Sequence, residues 1–113
     1  MNGLNLLVLR CSEIDATRRF YECLGMSFTT HSHGSGARHH ASENAEGAFE
    51  LYPAGPAQPK DGTGLGFSVK NAETARRMFE ACGFEPEPIR EQPWGRTFVV
   101  RDPDGRRVEI KEQ

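Results

Sequence analysis

The chain is 113 residues long and carries 14 Lys and Arg against 16 Asp and Glu, a formal net charge of −2 with neutral His. That length suits one compact domain, within the usual range of roughly 50 to 250 residues. The near-balanced charge offers no clustered positive surface for phosphates, so nucleic acid is not an expected partner.

In chain order, residues 4–10 are a short run of Leu, Val and Asn with the length of a strand. Ser12, with Asp15 three residues on, is placed to cap a helix running to about Leu24. Ile14, Phe20, Tyr21 and Leu24 give that helix its apolar side, and Gly25 ends it. Three strands are expected next, over about 27–33, 38–43 and 48–52, separated by the turn-rich segments HGSG and NAEG. Residues 53–64 are too rich in Pro, Gly and Ala for regular structure. The expected organisation is therefore a single domain over 1–113, with modules at about 1–54 and 64–113 and a linker at about 55–63. Beyond it, Leu65 to Val69 reads as a strand, Asn71 as the cap of a helix ending at Gly83, and 85–90 as a less regular strand. Residues 97–101 and 106–111 then form strands joined by DPDG, where Pro fixes one dihedral and Gly permits a positive one.

The second half echoes the first. IDATRRFYECLG at 14–25 and AETARRMFEACG at 72–83 share an acidic start, an Arg-Arg pair, an aromatic-Glu step and a closing Gly, at an offset of about 58 residues. AFEL at 48–51 and RVEI at 107–110 extend the echo, so a β-α-β-β-β unit is duplicated and Glu50 and Glu109 hold equivalent places. If Phe49, Leu51, Val108 and Ile110 face the helices, alternation turns both glutamates to the opposite sheet face. A carboxylate there calls for a metal, an Arg or a ligand.

All four histidines fall in HSHGSGARHH, residues 31–40. His31 and His33 share one strand face. An even-length hairpin at NAEG places His39 and Ala41 on the face of Glu50 and Tyr52, which makes His39 the candidate imidazole; an exposed hairpin His is the competing reading. In the second half, a four-residue DPDG loop sets Phe98 opposite Glu109 with Arg96 on the same face. Arg96 is then placed to clamp an anionic or carbonyl group, and Trp94 to stack on a flat ligand or close the rim.

The tandem order, the Glu on the last strand of each half, PWGR at 93–96 and VVRDPDGRRVEI at 99–110 resemble the vicinal oxygen chelate superfamily, which includes glyoxalase I, extradiol dioxygenases and the fosfomycin- and bleomycin-resistance proteins. The likeness covers essentially the whole chain. It implies an α+β fold of tandem βαβββ modules forming a cupped, incomplete eight-stranded barrel, a shared cavity and a homodimer. Family metal ligands come from the first and last strand of each module. Glu50 and Glu109 match the last-strand positions, but the first-strand positions, His in a typical glyoxalase I, fall at Leu6 and Gly64. A divalent metal (Ni, Zn, Mn, Fe or Mg) would need a further ligand, for which His39 is the candidate, and the donor count favours its absence.

Two functions stay open. One is a glyoxalase-type lyase or isomerase in which Glu109 moves a proton. The other is a metal-free small-molecule-binding protein of the bleomycin-resistance type, whose acidic interior would favour a cationic or polyhydroxy ligand. Cys11, Cys23 and Cys82 lack CxxC spacing and read as reduced thiols of a cytoplasmic protein, with Cys23 and Cys82 as buried small hydrophobes. No apolar run approaches the roughly 20 residues of a membrane span, so no membrane partner is expected.

Overall fold

The computed structural model describes residues 2–32, 34–56 and 61–113; the expected linker at 57–60, and His33, lie outside them. The chain divides into two units, Met1–Pro59 and Lys60–Gln113, and the described residues of each form one helix and one four-stranded mixed sheet.

The first unit runs β1 (Leu6–Cys11), α1 (Ile14–Glu22), β2 (Thr29–His31), β3 (His39–Asn44) and β4 (Gly47–Pro53). The strand order is β1-β4-β3-β2, with β1 parallel to β4 and the other pairs antiparallel. Helix α1 buries Ile14, Thr17, Phe20 and Tyr21, a stripe at helical spacing. Tyr21 packs edge-on against Phe20 at 4.8 Å and Phe49 at 5.0 Å, so Phe49 and its alternate Leu51 face the helix. Burying each large side chain of this kind is worth about 1.5–3 kcal/mol. The start of β4 depends on a close approach: a Cβ on Gly47 would stand 2.2 Å from the Asn5 carbonyl oxygen, which accepts the Ala48 N–H at 2.9 Å.

Two expectations for this unit are corrected. The N-cap of α1 is Glu13, without a side-chain capping bond, rather than Ser12, because Asp15 is engaged with His40 and Arg38 instead. The strand expected over 27–33 shortens to Thr29–His31.

The second unit repeats the plan with β5 (Leu65–Val69), α2 (Ala72–Ala81), β6 (Arg90–Gln92), β7 (Gly95–Arg101) and β8 (Arg107–Glu112), ordered β5-β8-β7-β6. Asn71 caps α2 by accepting the Thr74 N–H at 2.9 Å, and Glu112 on β8 accepts the Ala72 N–H at 2.9 Å. Phe79 of α2 meets Phe84 and Phe98 edge-on at 6.3 and 6.2 Å.

Here the corrections bear on the site. The strand expected over 85–90 begins only at Arg90, since Pro86 and Pro88 have no N–H for a ladder. The DPDG connection is five residues long, because Arg101 pairs with Arg107. Asp102 organises it by accepting the N–H groups of Asp104 at 2.9 Å and Arg106 at 3.0 Å. The Arg106 side chain, itself buried, returns to Asp102 at 3.1 Å and reaches Asp61 at 2.8 Å. Arg106 thus joins the turn instead of the strand, and the one-residue slip exchanges the faces of every β7 side chain relative to β8.

Cys11 and Cys23 are buried, whereas Cys82 is exposed, contrary to expectation: α2 ends at Ala81, before its apolar stripe reaches that thiol. Among the described residues, no helix is long and apolar enough to cross a membrane.

Candidate functional site

With Phe49 and Leu51 turned to α1, alternation along β4 places Ala48, Glu50 and Tyr52 on the opposite face. Val8 and Ala41 flank Glu50 in the ladder. The hairpin at NAEG has the even length expected, with Asn44 paired to Gly47, and it brings His39 beside Tyr52. Their rings stack with centroids 4.2 Å apart and planes 7° from parallel. His31 stacks on His39 at 5.3 Å, and the Arg10 guanidinium lies 5.0 Å from the Tyr52 centroid. Arg10, Tyr52, His39 and His31 therefore form one row across all four strands, adjacent to the row that holds Glu50. His39 Nδ1 lies 3.2 Å from the Ala37 carbonyl; a proton donated there leaves Nε2 as the ring's acceptor.

His40 takes the other face and is fully buried. Its Nε2 meets Asp15 at 2.7 Å and its Nδ1 meets the Thr30 hydroxyl at 3.0 Å, while Arg18 donates to Thr30 at 2.9 Å. The His40 bond, and then Arg38, hold the Asp15 carboxyl below its ordinary range. This imidazole fastens β3 to α1 and is not part of the Glu50 face.

In the second unit Glu109 is paired with Gly66 on one side and Val99 on the other. Phe98 instead lies opposite Ile110, is 1% exposed and belongs to the core around Phe79. Arg96 shares Phe98's face and is likewise separated from Glu109. It donates to Glu73 at 3.0 Å, Glu91 at 2.9 Å and Glu112 at 3.4 Å, tying β7 to β6, β8 and the start of α2. The pairing with Glu73 raises the guanidinium pKa and lowers that of the Glu73 carboxyl. Trp94 occupies the turn between β6 and β7 and is 58% exposed.

A cleft of about 120 Å³ opens beside Glu109, and its lining includes Arg90, Gln92, Thr97, Val99 and Arg107. Arg90 and Arg107 were not among the candidates read from the sequence. Period-two alternation from Glu109 places Arg107 on its face, and the repeat offset puts Arg90 of β6 where β2 has His31.

The donor set does not fit a glyoxalase-type metal centre. Leu6 lies opposite Ala48 and Gly64 immediately precedes β5, and neither side chain has a ligand atom. His39 stands in the Tyr52 row, while Ala41 is the β3 neighbour of Glu50. Among the described residues, no three His, Cys, Asp or Glu side chains are grouped to hold an ion.

Several solved structures share this architecture. TnmS3, an antibiotic binding protein from Streptomyces sp. CB03234, is 20% identical with a TM-score of 0.81, covering 99% of this chain and 96% of its own. The fosfomycin resistance protein FosX from Mesorhizobium loti is 13% identical with a TM-score of 0.77, covering 100% and 93%. Lactoylglutathione lyase from Agrobacterium tumefaciens is 19% identical with a TM-score of 0.72, covering 99% and 94%. At these identities the likeness establishes the fold. No curated protein sequence matches the chain. The duplicated βαβββ plan, with its paired glutamates, accords with the family model that matches residues 3–110, and the chain belongs to the Glyoxalase/Bleomycin resistance protein/Dioxygenase superfamily.

Proposed function

We propose that this protein binds a small organic molecule on the sheet face of the first unit that carries Glu50, without a resident metal. The observation that carries this reading is the setting of Glu50. It is half-buried between Val8 and Ala41, beside the stacked Tyr52–His39 row, and among the described residues its carboxylate takes no hydrogen bond or ion pair. Such a group is costly to desolvate unless a partner meets it, and the neighbouring rings offer a π surface for an organic ligand. His39 and Tyr52 are the proposed contacts beside Glu50; in the second unit, taken by itself, Glu109 and the exposed Trp94 are the proposed ligand contacts.

A second reading, a lyase or isomerase, is favoured by one feature: Glu109 opens on a cleft with Arg107 Nη2 3.8 Å away. A carboxylate that takes a proton next to a guanidinium that steadies the resulting enolate is a workable acid–base pair.

A thermal-shift screen of dialysed protein, followed by calorimetry on the hits, tests the binding function. Since TnmS3 is an antibiotic binding protein and FosX a fosfomycin resistance protein, antibiotics are the rational first set. The expected result is a ligand whose affinity falls about tenfold or more in Glu50→Gln and in Tyr52→Ala, the scale of one charged hydrogen bond or one aromatic contact. A screen without hits overturns the reading. So does about one tightly held ion per chain by elemental mass spectrometry, if Glu50→Gln or Glu109→Gln abolishes it. Solvent-deuterium incorporation into a bound hit that vanishes in Glu109→Gln would select the lyase or isomerase. Family resemblance extends the proposal to a cytoplasmic homodimer, which sedimentation equilibrium checks.

A further inference from the structure

Resting on that ligand-binding reading, we infer that the cleft beside Glu109 receives an anionic group of the ligand, carboxylate or phosphonate oxygens, between Arg90 and Arg107. Three other guanidinium groups of the second unit are committed to the fold. Arg76 donates to the carbonyls of Pro86 and Glu87 at 2.9 Å each, Arg96 to three glutamates, and Arg106 to Asp61 and Asp102. The two in the cleft differ. Arg90 comes no nearer than 3.9 Å to the Glu87 carboxylate, and Arg107 no nearer than 3.8 Å to that of Glu109. Both separations exceed the roughly 2.7–3.2 Å of an N–H···O bond. Each guanidinium therefore keeps its planar set of donors for a bidentate oxyanion, the geometry in which Arg binds most strongly.

The surroundings agree. Along β8, alternation places Arg107 and Lys111 on either side of Glu109 on one face, and Arg90 enters that face through its pairing with Thr97, the partner of Lys111. The cleft lining sets two guanidinium groups, Arg90 and Arg107, against two carboxylates, Glu87 and Glu109, so what favours an anion here is the uncommitted N–H donors of the guanidinium groups and not an excess of positive charge. At about 120 Å³ the cleft is well below the roughly 300–1,000 Å³ of a site for a drug-sized molecule. It suits one functional group rather than a whole ligand. Glu109, acceptor-only when ionised, adds a requirement for a hydroxyl or amine donor next to the anion.

Heteronuclear NMR titration of ¹⁵N-labelled protein at low salt tests this directly, with glycolate and methylphosphonate as probes and neutral glycolamide as control. The expected result is saturable shifts at Thr97, Val99, Glu109 and the Nε–Hε groups of Arg90 and Arg107 with both anions and not with glycolamide. Arg90→Gln and Arg107→Gln should each weaken binding about tenfold, as loss of a charge-assisted hydrogen bond does. Arg77→Gln, on exposed α2 surface, should leave it unchanged. Both cleft side chains are mostly exposed, so the variants retain the fold, which their amide spectra verify. No saturable shift, equal shifts with glycolamide, or full affinity in both cleft variants would overturn the inference. A screen hit that depends on Glu50 while both anions stay silent leaves ligand binding intact and sinks only the anion site. Arginine-dependent anion binding sustains the site even where the screen finds no larger ligand.

Discussion

Phe98 and Val99 are neighbours on β7 with opposite environments, one sealed against Phe79 and Ile110 and the other lining the cleft beside Glu109. Truncating a buried aromatic leaves a cavity and typically costs about 3–5 kcal/mol. Phe98→Ala should therefore lower the urea midpoint sharply at unchanged m-value, while half-exposed Val99→Ala should cost well under half as much. Equal losses would mean that Phe98 is not in the core. A second residue-level prediction concerns Asp61. The Thr63 hydroxyl first, and then Arg106, hold its carboxyl at about 2 against an ordinary 3.8. A depressed carboxylate pKa contributes stability that is fully present above the ordinary value and lost as pH falls through the folded one. Unfolding free energy of the wild type should thus fall more steeply than that of Asp61→Asn between about pH 4 and about pH 2, as read by urea titrations at stepped pH. Parallel curves would remove Asp61 from the account.

At the scale of elements, the two helices look alike in sequence and differ in how they start. Asn71 satisfies an orphan amide of α2 through its side chain, and Glu13 at the equivalent place on α1 does not. Asn71→Ala should cost about 1 kcal/mol of stability, and Glu13→Ala should stay within about 0.5 kcal/mol, both by urea unfolding. A reversed order would show that the Asn71 side-chain bond is not what caps α2. The hairpins show what a sequence makes legible. At NAEG the information is local: Asn44 accepts the N–H groups of Glu46 and Gly47 at 2.8 and 3.1 Å, so an even loop, and the placing of His39 beside Tyr52, could be read from four residues. At DPDG it is not. The side chain of Arg106, held to Asp102 within the turn, also reaches Asp61, 45 positions earlier in the chain, and nothing in the turn itself announces that partner. The one extra loop residue puts Phe98 and Arg96 off the Glu109 face and Thr97 and Val99 on it.

For the whole molecule, the duplication was legible because both halves must solve the same packing problem with the same apolar spacing. The site was not, because the faces away from the helices are free to diverge. Where the first unit has Arg10, Tyr52, His39 and His31 in one row, the matching ladder positions of the second hold Ser68, Lys111, Thr97 and Arg90. A net charge near zero averages over that difference. The cysteines also divide by unit, and they make the cores measurable. Cys11 and Cys23 are 0% and 4% exposed in the first unit, whereas Cys82 is exposed in the second. Alkylation with iodoacetamide in native buffer should give one adduct per chain, located at Cys82 by peptide mass, and all three thiols should react in concentrated urea. At intermediate urea the decisive quantity is the doubly labelled species. Cys11 ends β1 and Cys23 caps α1, and both are buried in the unit whose core joins that helix to β4. If that core opens as one cooperative body, the two thiols become accessible together, and with alkylation fast relative to reclosing the spectrum passes from one adduct to three. A persistent two-adduct population, mapped to Cys23, would show instead that the last turn of α1 frays while β1 stays packed, and that the first unit is not one cooperative body.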